Sequence, residues 1–116
     1  MSLEKPFTVT RPWGEFRQYA ENETVTVKTI IVRRGECFSL QYHRGRTEFW
    51  RILAGTPEVT VGDAVSRAKA GDEFAILPEM PHRVAAIDDD VEFLEIARGE
   101  FREDDIVRLE DKYGRI

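Results

Sequence analysis

From Thr24 onward the chain is a succession of short β-rich runs divided by turn-forming residues, a rhythm that limits it to an all-β sandwich or barrel. The runs are 25–32, 38–42, 48–53, 58–61, 74–77, 83–87 and 92–97. Between them fall Arg34-Gly35, Gly55, Gly62-Asp63, Gly71-Asp72 and Asp88-Asp89-Asp90. Gly tolerates the backbone angles that tight turns demand, and Asp bonds to nearby backbone N–H groups. Run 25–32 alternates at first and then becomes continuously apolar, as in a strand passing from a half-exposed edge to a buried centre. No segment competes as a long helix. The stretch 103–113 has an acidic start and apolar residues at Ile106, Leu109 and Tyr113, which predicts a short helical turn packed against the β domain.

A length of 116 residues accommodates a single domain, 1–116, large enough to bury a core without staples. Apolar residues at 41% and charged residues at 34% match a soluble globular chain. The formal net charge of -5 is spread along the sequence, so nucleic acid and anionic membrane are excluded as partners. A small phosphorylated ligand is still compatible, because a few convergent arginines make a local positive pocket. Cys37 is the one cysteine, so no internal disulfide forms; it reads as a small buried hydrophobe, and the cytoplasm is the expected compartment. Residues 1–3 read as part of an expression scar, and neither a signal peptide nor a run of roughly 18 apolar residues is present.

The two histidines, His43 and His82, carry the chemistry. Gly35 is followed after five residues by Gln41, then by Tyr42 and His43; four residues lead on to Glu48 and six more to Gly55. Residues two apart on a strand share a face, so Gln41 and His43 can both point inward. Ten residues separate Gly71 from His82. These two intervals match the first and second cupin motifs. The pattern therefore predicts an all-β cupin barrel (double-stranded β-helix, jelly roll) with short N- and C-terminal extensions. Imidazole, carboxylate and amide oxygen form a mixed N/O donor set suited to one divalent metal ion, with zinc first and manganese, iron, cobalt or nickel as alternatives. A cupin with a vestigial, metal-free pocket is the competing reading.

Arg11-Pro12-Trp13-Gly14, then Gln41-x-His43-x-x-Arg46-x-Glu48-x-Trp50, His82-Arg83, 103–108 and Asp111-x-Tyr113-Gly114-Arg115 together resemble the type II mannose-6-phosphate isomerases. In that family such a cupin is commonly the C-terminal part of a bifunctional enzyme that also carries a mannose-1-phosphate guanylyltransferase domain; here it would stand alone. The resemblance implies that Gln41, His43, Glu48 and His82 ligate the metal and that Arg46 belongs to the same pocket. The sequence departs from the pattern at Gly45 and Phe49, where histidines are usual, and at Ala86 and Ala97, where Asn and Gln are frequent. These departures suggest a pocket that has lost polar groups.

The implied reaction converts mannose 6-phosphate to fructose 6-phosphate, which requires a group that takes a proton from the carbon beside a carbonyl and returns it to the neighbouring carbon. Glu95, among apolar neighbours, is the first candidate, and Lys28 the second. Arg46 and Arg83 adjoin ligands in sequence and are the candidates for the phosphate, although strand alternation turns Arg83 away from His82. Trp13 and Trp50 are read as packing residues rather than sugar platforms, and 103–105 as a solvated turn or cap. Two rival functions stand beside the isomerase: a non-catalytic metal- or sugar-binding cupin and an iron-dependent cupin dioxygenase. An exposed sheet face with no long helix to cover it predicts a homodimer.

Overall fold

The computed structural model describes residues 5–116, so the expectation for residues 1–3 lies outside it. The chain forms strands β1 (Phe7–Arg11), β2 (Gly14–Gln18), β3 (Val25–Val32), β4 (Leu40–Tyr42), β5 (Arg46–Ala54) and β6 (Glu58–Val61). These are followed by β7 (Ala64–Arg67), β8 (Glu73–Ile76), β9 (His82–Ala85), β10 (Val91–Gly99) and β11 (Val107–Glu110). No helix occurs among the described residues, and so none is long and apolar enough to cross a membrane.

One sheet has the order β3-β10-β5-β8 and the other β11-β4-β9-β6-β7, with every pairing antiparallel. The inner faces meet in a core of Trp50, Ile52, Val59, Ile76, Val84, Val91 and Phe93, the double-sheet jelly roll that the alternating pattern predicts. Along β5 the alternation of burial is strict: Arg46, Glu48, Trp50 and Ile52 face in, while Thr47, Phe49 and Arg51 face out. Trp50 is 1% exposed, with its ring 5.1 Å from Phe93 and 6.2 Å from Phe38. Gly55, at φ +86°, closes the turn after β5, and a Cβ there would run into the carbonyl of Asp90.

Two expectations fail here. Residues 107–110 are strand, not helix: β11 pairs with the open edge of β4, Val107 opposite Tyr42 and Arg108 opposite Gln41. The ladder satisfies backbone groups that a single helical turn would leave unpaired, and it overrides the local apolar spacing. Trp13 is not a packing residue; it is 72% exposed at the tip of the β1-β2 hairpin. That hairpin was not anticipated. It docks on the outer face of the first sheet, where Glu73 accepts from Arg17 at 2.6 and 3.0 Å, from Tyr19 at 2.8 Å and from Arg51 at 2.9 Å. The strand β7 was likewise missed, although the Gly62-Asp63 turn that joins it to β6 is a strong hairpin signal.

Candidate metal centre

Strand pairing gathers residues that are far apart in sequence. Gln41 on β4 lies directly opposite His82 on β9, and His43 follows β4 immediately. Glu48 reaches the same interior from β5, in the facing sheet. The donor atoms of His43, Glu48 and His82 lie within 4.8 Å of one another, and all three side chains are buried. His43 Nε2 stands 3.2 Å from His82 Nε2 and 3.4 Å from Glu48 Oε2, and His82 Nε2 is 3.9 Å from Glu48 Oε1. Two ligands about 2.1 Å from a shared zinc ion are at most about 4.2 Å apart, so all three separations fit one ion.

The outer hydrogen bonds fix how the imidazoles face. His43 Nδ1–H donates to the carbonyl of Asp105 at 2.6 Å, and His82 Nδ1–H donates to the carbonyl of Met80 at 2.9 Å. A carbonyl can only accept, so each ring keeps its proton on Nδ1 and turns an Nε2 lone pair inward. Two lone pairs facing each other repel unless a cation or donor lies between them. Burial pushes the His82 pKa down, which keeps that ring neutral and competent as a ligand. For Glu48 burial acts upward, but the hydrogen bonds from Glu95 and Arg46 hold its pKa below the usual value. Gln41 accepts from Ser39 Oγ at 2.5 Å and sets its Nε2 3.4 Å from His43 Nε2. A hydroxyl both donates and accepts, so turning the amide over presents its oxygen to the cluster without losing Ser39. The donor set fits a divalent ion.

Arg46 is buried beside these donors. Its Nε donates to Glu48 at 2.9 Å, Nη2 to His43 Nε2 at 3.0 Å and Nη1 to the carbonyl of Arg102 at 3.2 Å, while its guanidinium lies 4.1 Å from the Phe101 ring centre. The single lone pair of His43 Nε2 serves one partner at a time, so a metal ion bound there would displace Arg46 Nη2. Arg83 is not brought to the site; it donates to the carbonyl of Phe38 and pairs with Glu110 on the other side of β9.

Glu95 is buried on β10, opposite Trp50 on one side and Lys28 on the other. Burial, the charge of Glu48 and a hydrogen bond to Glu48 push its pKa up to about 8. Lys28 lines the same cavity, with Nζ 4.1 Å from the Phe101 ring centre and 3.4 Å from Glu103. The cavity measures about 260 Å3 and opens beside the donor set, its wall including Lys28, Arg46, Glu95, Arg108 and Arg115.

The acidic stretch 103–105 is more than a solvated turn. Asp105 accepts from the backbone N–H groups of Arg44 and Gly45, both at 2.9 Å, besides supporting His43 through its carbonyl. A Cβ on Gly45 would stand 3.2 Å from that carboxylate, so the loop before β5 is tailored to Asp105. Phe49 faces outward and packs on Tyr19 at 5.6 Å, so a histidine at this position would not enter the pocket. Ala97 does lie on the inner face, opposite Glu48. Sequence reasoning gave Arg108 no role beyond its place in the family motif. Its Nε is buried with no hydrogen-bond partner, a state that costs about 1–3 kcal/mol.

The sequence pattern described as mannose-6-phosphate isomerase C-terminal matches residues 2–111. The chain belongs to this family. It is 34% identical over 116 residues to the mannose-1-phosphate guanylyltransferase ManC of Salmonella typhimurium, a match covering 93% of this chain and 23% of that protein. The chain thus spans about a quarter of the length of such curated relatives. Among solved structures it is similar to a mutant of the oxalate decarboxylase OxdC of Bacillus subtilis, with TM-score 0.68 and 22% identity over 76% of this chain and 25% of that one. It is also similar to a Klebsiella pneumoniae protein with a double-stranded β-helix domain, with TM-score 0.66 and 17% identity over 96% and 90% of the two chains. The fold is that of the cupins.

Proposed function

We propose that this cupin domain is a metal-dependent aldose–ketose isomerase that converts mannose 6-phosphate to fructose 6-phosphate. The observation that carries the reading is Glu95, a buried carboxyl with its pKa pushed up to about 8, on the inner face beside the cluster of His43, Glu48 and His82. A divalent ion held by Gln41, His43, Glu48 and His82, zinc being the first candidate, would polarise the substrate carbonyl and offset the negative charge that develops on its oxygen.

The protein's own groups do the rest. Glu95, as carboxylate, takes the proton from carbon 2, next to the carbonyl, and, as acid, returns it to carbon 1, while the hydroxyl proton on carbon 2 passes by way of solvent to the oxygen on carbon 1. Lys28, across the strand pair from Glu95, places an ammonium where it favours the ionised form. Arg46 orients Glu48 and His43 through its hydrogen bonds. Trp50, whose indole N–H donates to Glu48 at 3.2 Å, fixes the other carboxylate oxygen and walls off the floor of the site.

The test is a coupled assay for fructose 6-phosphate with zinc-, manganese- or cobalt-loaded protein. Glu95→Gln keeps the shape of the side chain and removes the proton carrier, so it should lower kcat by about 100-fold or more with little change in KM. Turnover by Glu95→Gln at the wild-type rate would remove Glu95 from the mechanism. Absence of conversion by the loaded wild type would leave a metal- or sugar-binding cupin as the better account.

A further inference from the structure

Four cationic side chains line the cavity: Lys28, Arg46, Arg108 and Arg115. Three of them are already engaged within the chain. Lys28 is within 3.4 Å of Glu103 and stacks on Phe101. Arg46 donates through all three of its nitrogens. Arg115 forms a two-pronged bond to Asp111 at 2.7 and 2.9 Å. Arg108 differs, because its Nε is shut away from water and bonds to nothing in the protein. Buried donors are almost always satisfied, and an exception marks a group whose partner, whether water, ion or ligand, the chain does not itself supply.

Strand register shows where that partner would lie. Arg108 is opposite Gln41, and Gln41 is opposite His82, so three adjacent strands carry arginine, amide and imidazole in one row on the cavity face. Strands are about 4.8 Å apart, which sets the Cα of Arg108 about 10 Å from that of His82. A ligand held at both the donor set and Arg108 would lie along this row, with a group at its far end that a guanidinium can pair with. A guanidinium presents paired N–H donors in one plane, the geometry that matches two oxygens of a phosphate.

We infer that Arg108 binds the terminal phosphate of the substrate, the end remote from the reacting carbons. This assignment rests on the sugar-phosphate reading given above and moves the phosphate contact from Arg46 and Arg83 to the C-terminal strand β11. Arg46 is a positioning residue for the metal ligands, and Arg83 lies outside the cavity.

Calorimetric titration of cobalt-loaded protein with mannose 6-phosphate and, separately, with inorganic phosphate tests it on wild type, Arg108→Gln, Arg108→Lys and the control Arg83→Gln. Chelator-dependent melting of each variant reports whether the fold and ion site are intact. The expected result is that Arg108→Gln weakens both probes by about tenfold or more while the chelator response stays as in wild type. Arg108→Lys should recover only part of the affinity, since it keeps the charge and loses the Nε donor. Arg83→Gln should bind as wild type does. Equal affinity of wild type and Arg108→Gln for both probes would overturn the assignment, as would wild type that binds neither. If phosphate binds through Arg108 and no hexose phosphate is turned over, the isomerase reading fails and the anion site stands. If mannose 6-phosphate is turned over and Arg108→Gln binds it normally, the reverse holds.

Discussion

Glu95 is hydrogen-bonded to Glu48, its diagonal neighbour across the β5-β10 pair, and the two carboxyls hold a single negative charge between them at neutral pH. Glu48 is the one ionised, because Glu95, Arg46 and the Trp50 indole all donate to its oxygens, and Glu95 keeps the proton.

This arrangement gives the ion-free protein a signed pH dependence. Glu95 has a folded pKa of about 8 against an unfolded value of about 4.3, so its protonated form stabilises the native state and that stability is lost as pH rises toward 8. His82 has the opposite sign, but its contribution is complete above its unfolded pKa of about 6.5. Between about pH 6.5 and 8, chelated wild type should therefore lose stability with rising pH, by up to about 1.4 kcal/mol per pH unit. Glu95→Gln should flatten the curve, as measured by urea denaturation at several pH values. A wild-type curve that rises across this window would contradict the assignment.

Removal of one ligand should uncouple stability from metal. An ion that binds only the native state raises its stability with free ion concentration over Kd, so a chelator should lower the Tm of wild type. His82→Ala should abolish that difference, because one Nε2 donor is gone. A chelator response of unchanged size in His82→Ala would locate the ion elsewhere.

The candidate donor residues were legible because their spacing is a property of two short turns. Gly35, Gln41, His43 and Glu48 lie along one connection, and His82 sits at a fixed interval from Gly71. The supporting groups were not legible. Asp105 and Arg108 are brought beside the cluster by the pairing of β11 with β4, a contact between segments some 65 residues apart that local apolar spacing disguised as a helical turn. Phe49 and Gly45 were read as lost pocket groups because histidines are usual at these positions in the family that the sequence resembles. Strand alternation turns Phe49 outward, and Gly45 makes room for Asp105. The β1-β2 hairpin was overlooked although Pro12-Trp13-Gly14 is a recognisable turn.

The turn after β5 offers a test of the fold itself. Gly55→Ala forces a side chain into the Asp90 carbonyl at a backbone angle that L-residues avoid, so it should destabilise the protein by more than about 1 kcal/mol. Gly35→Ala meets no atom within 4 Å and pays only for its positive φ, so its effect should be smaller in the same denaturation assay. Equal effects of the two would show that the Asp90 contact does not matter.

Assembly should follow from the outer face of the first sheet, where Val27, Ile31 and Leu53 are 56%, 52% and 42% exposed. A second copy covering this face gives a homodimer, and light scattering at tens of micromolar protein should return twice the 13.4 kDa chain mass. Val27→Lys should shift it to monomer. A monomer mass for wild type would show that the face stays uncovered.

The central claim is that Glu95 moves a proton at the carbon beside the sugar carbonyl, and the most direct measurement is proton exchange with solvent. Metal-loaded wild type is incubated with mannose 6-phosphate in deuterated water, and the sugar is followed by proton NMR. The account predicts loss of the signal from the hydrogen on carbon 2, together with the appearance of fructose 6-phosphate, and neither change with Glu95→Gln. Retention of that hydrogen in wild type, with no fructose 6-phosphate formed, would contradict it.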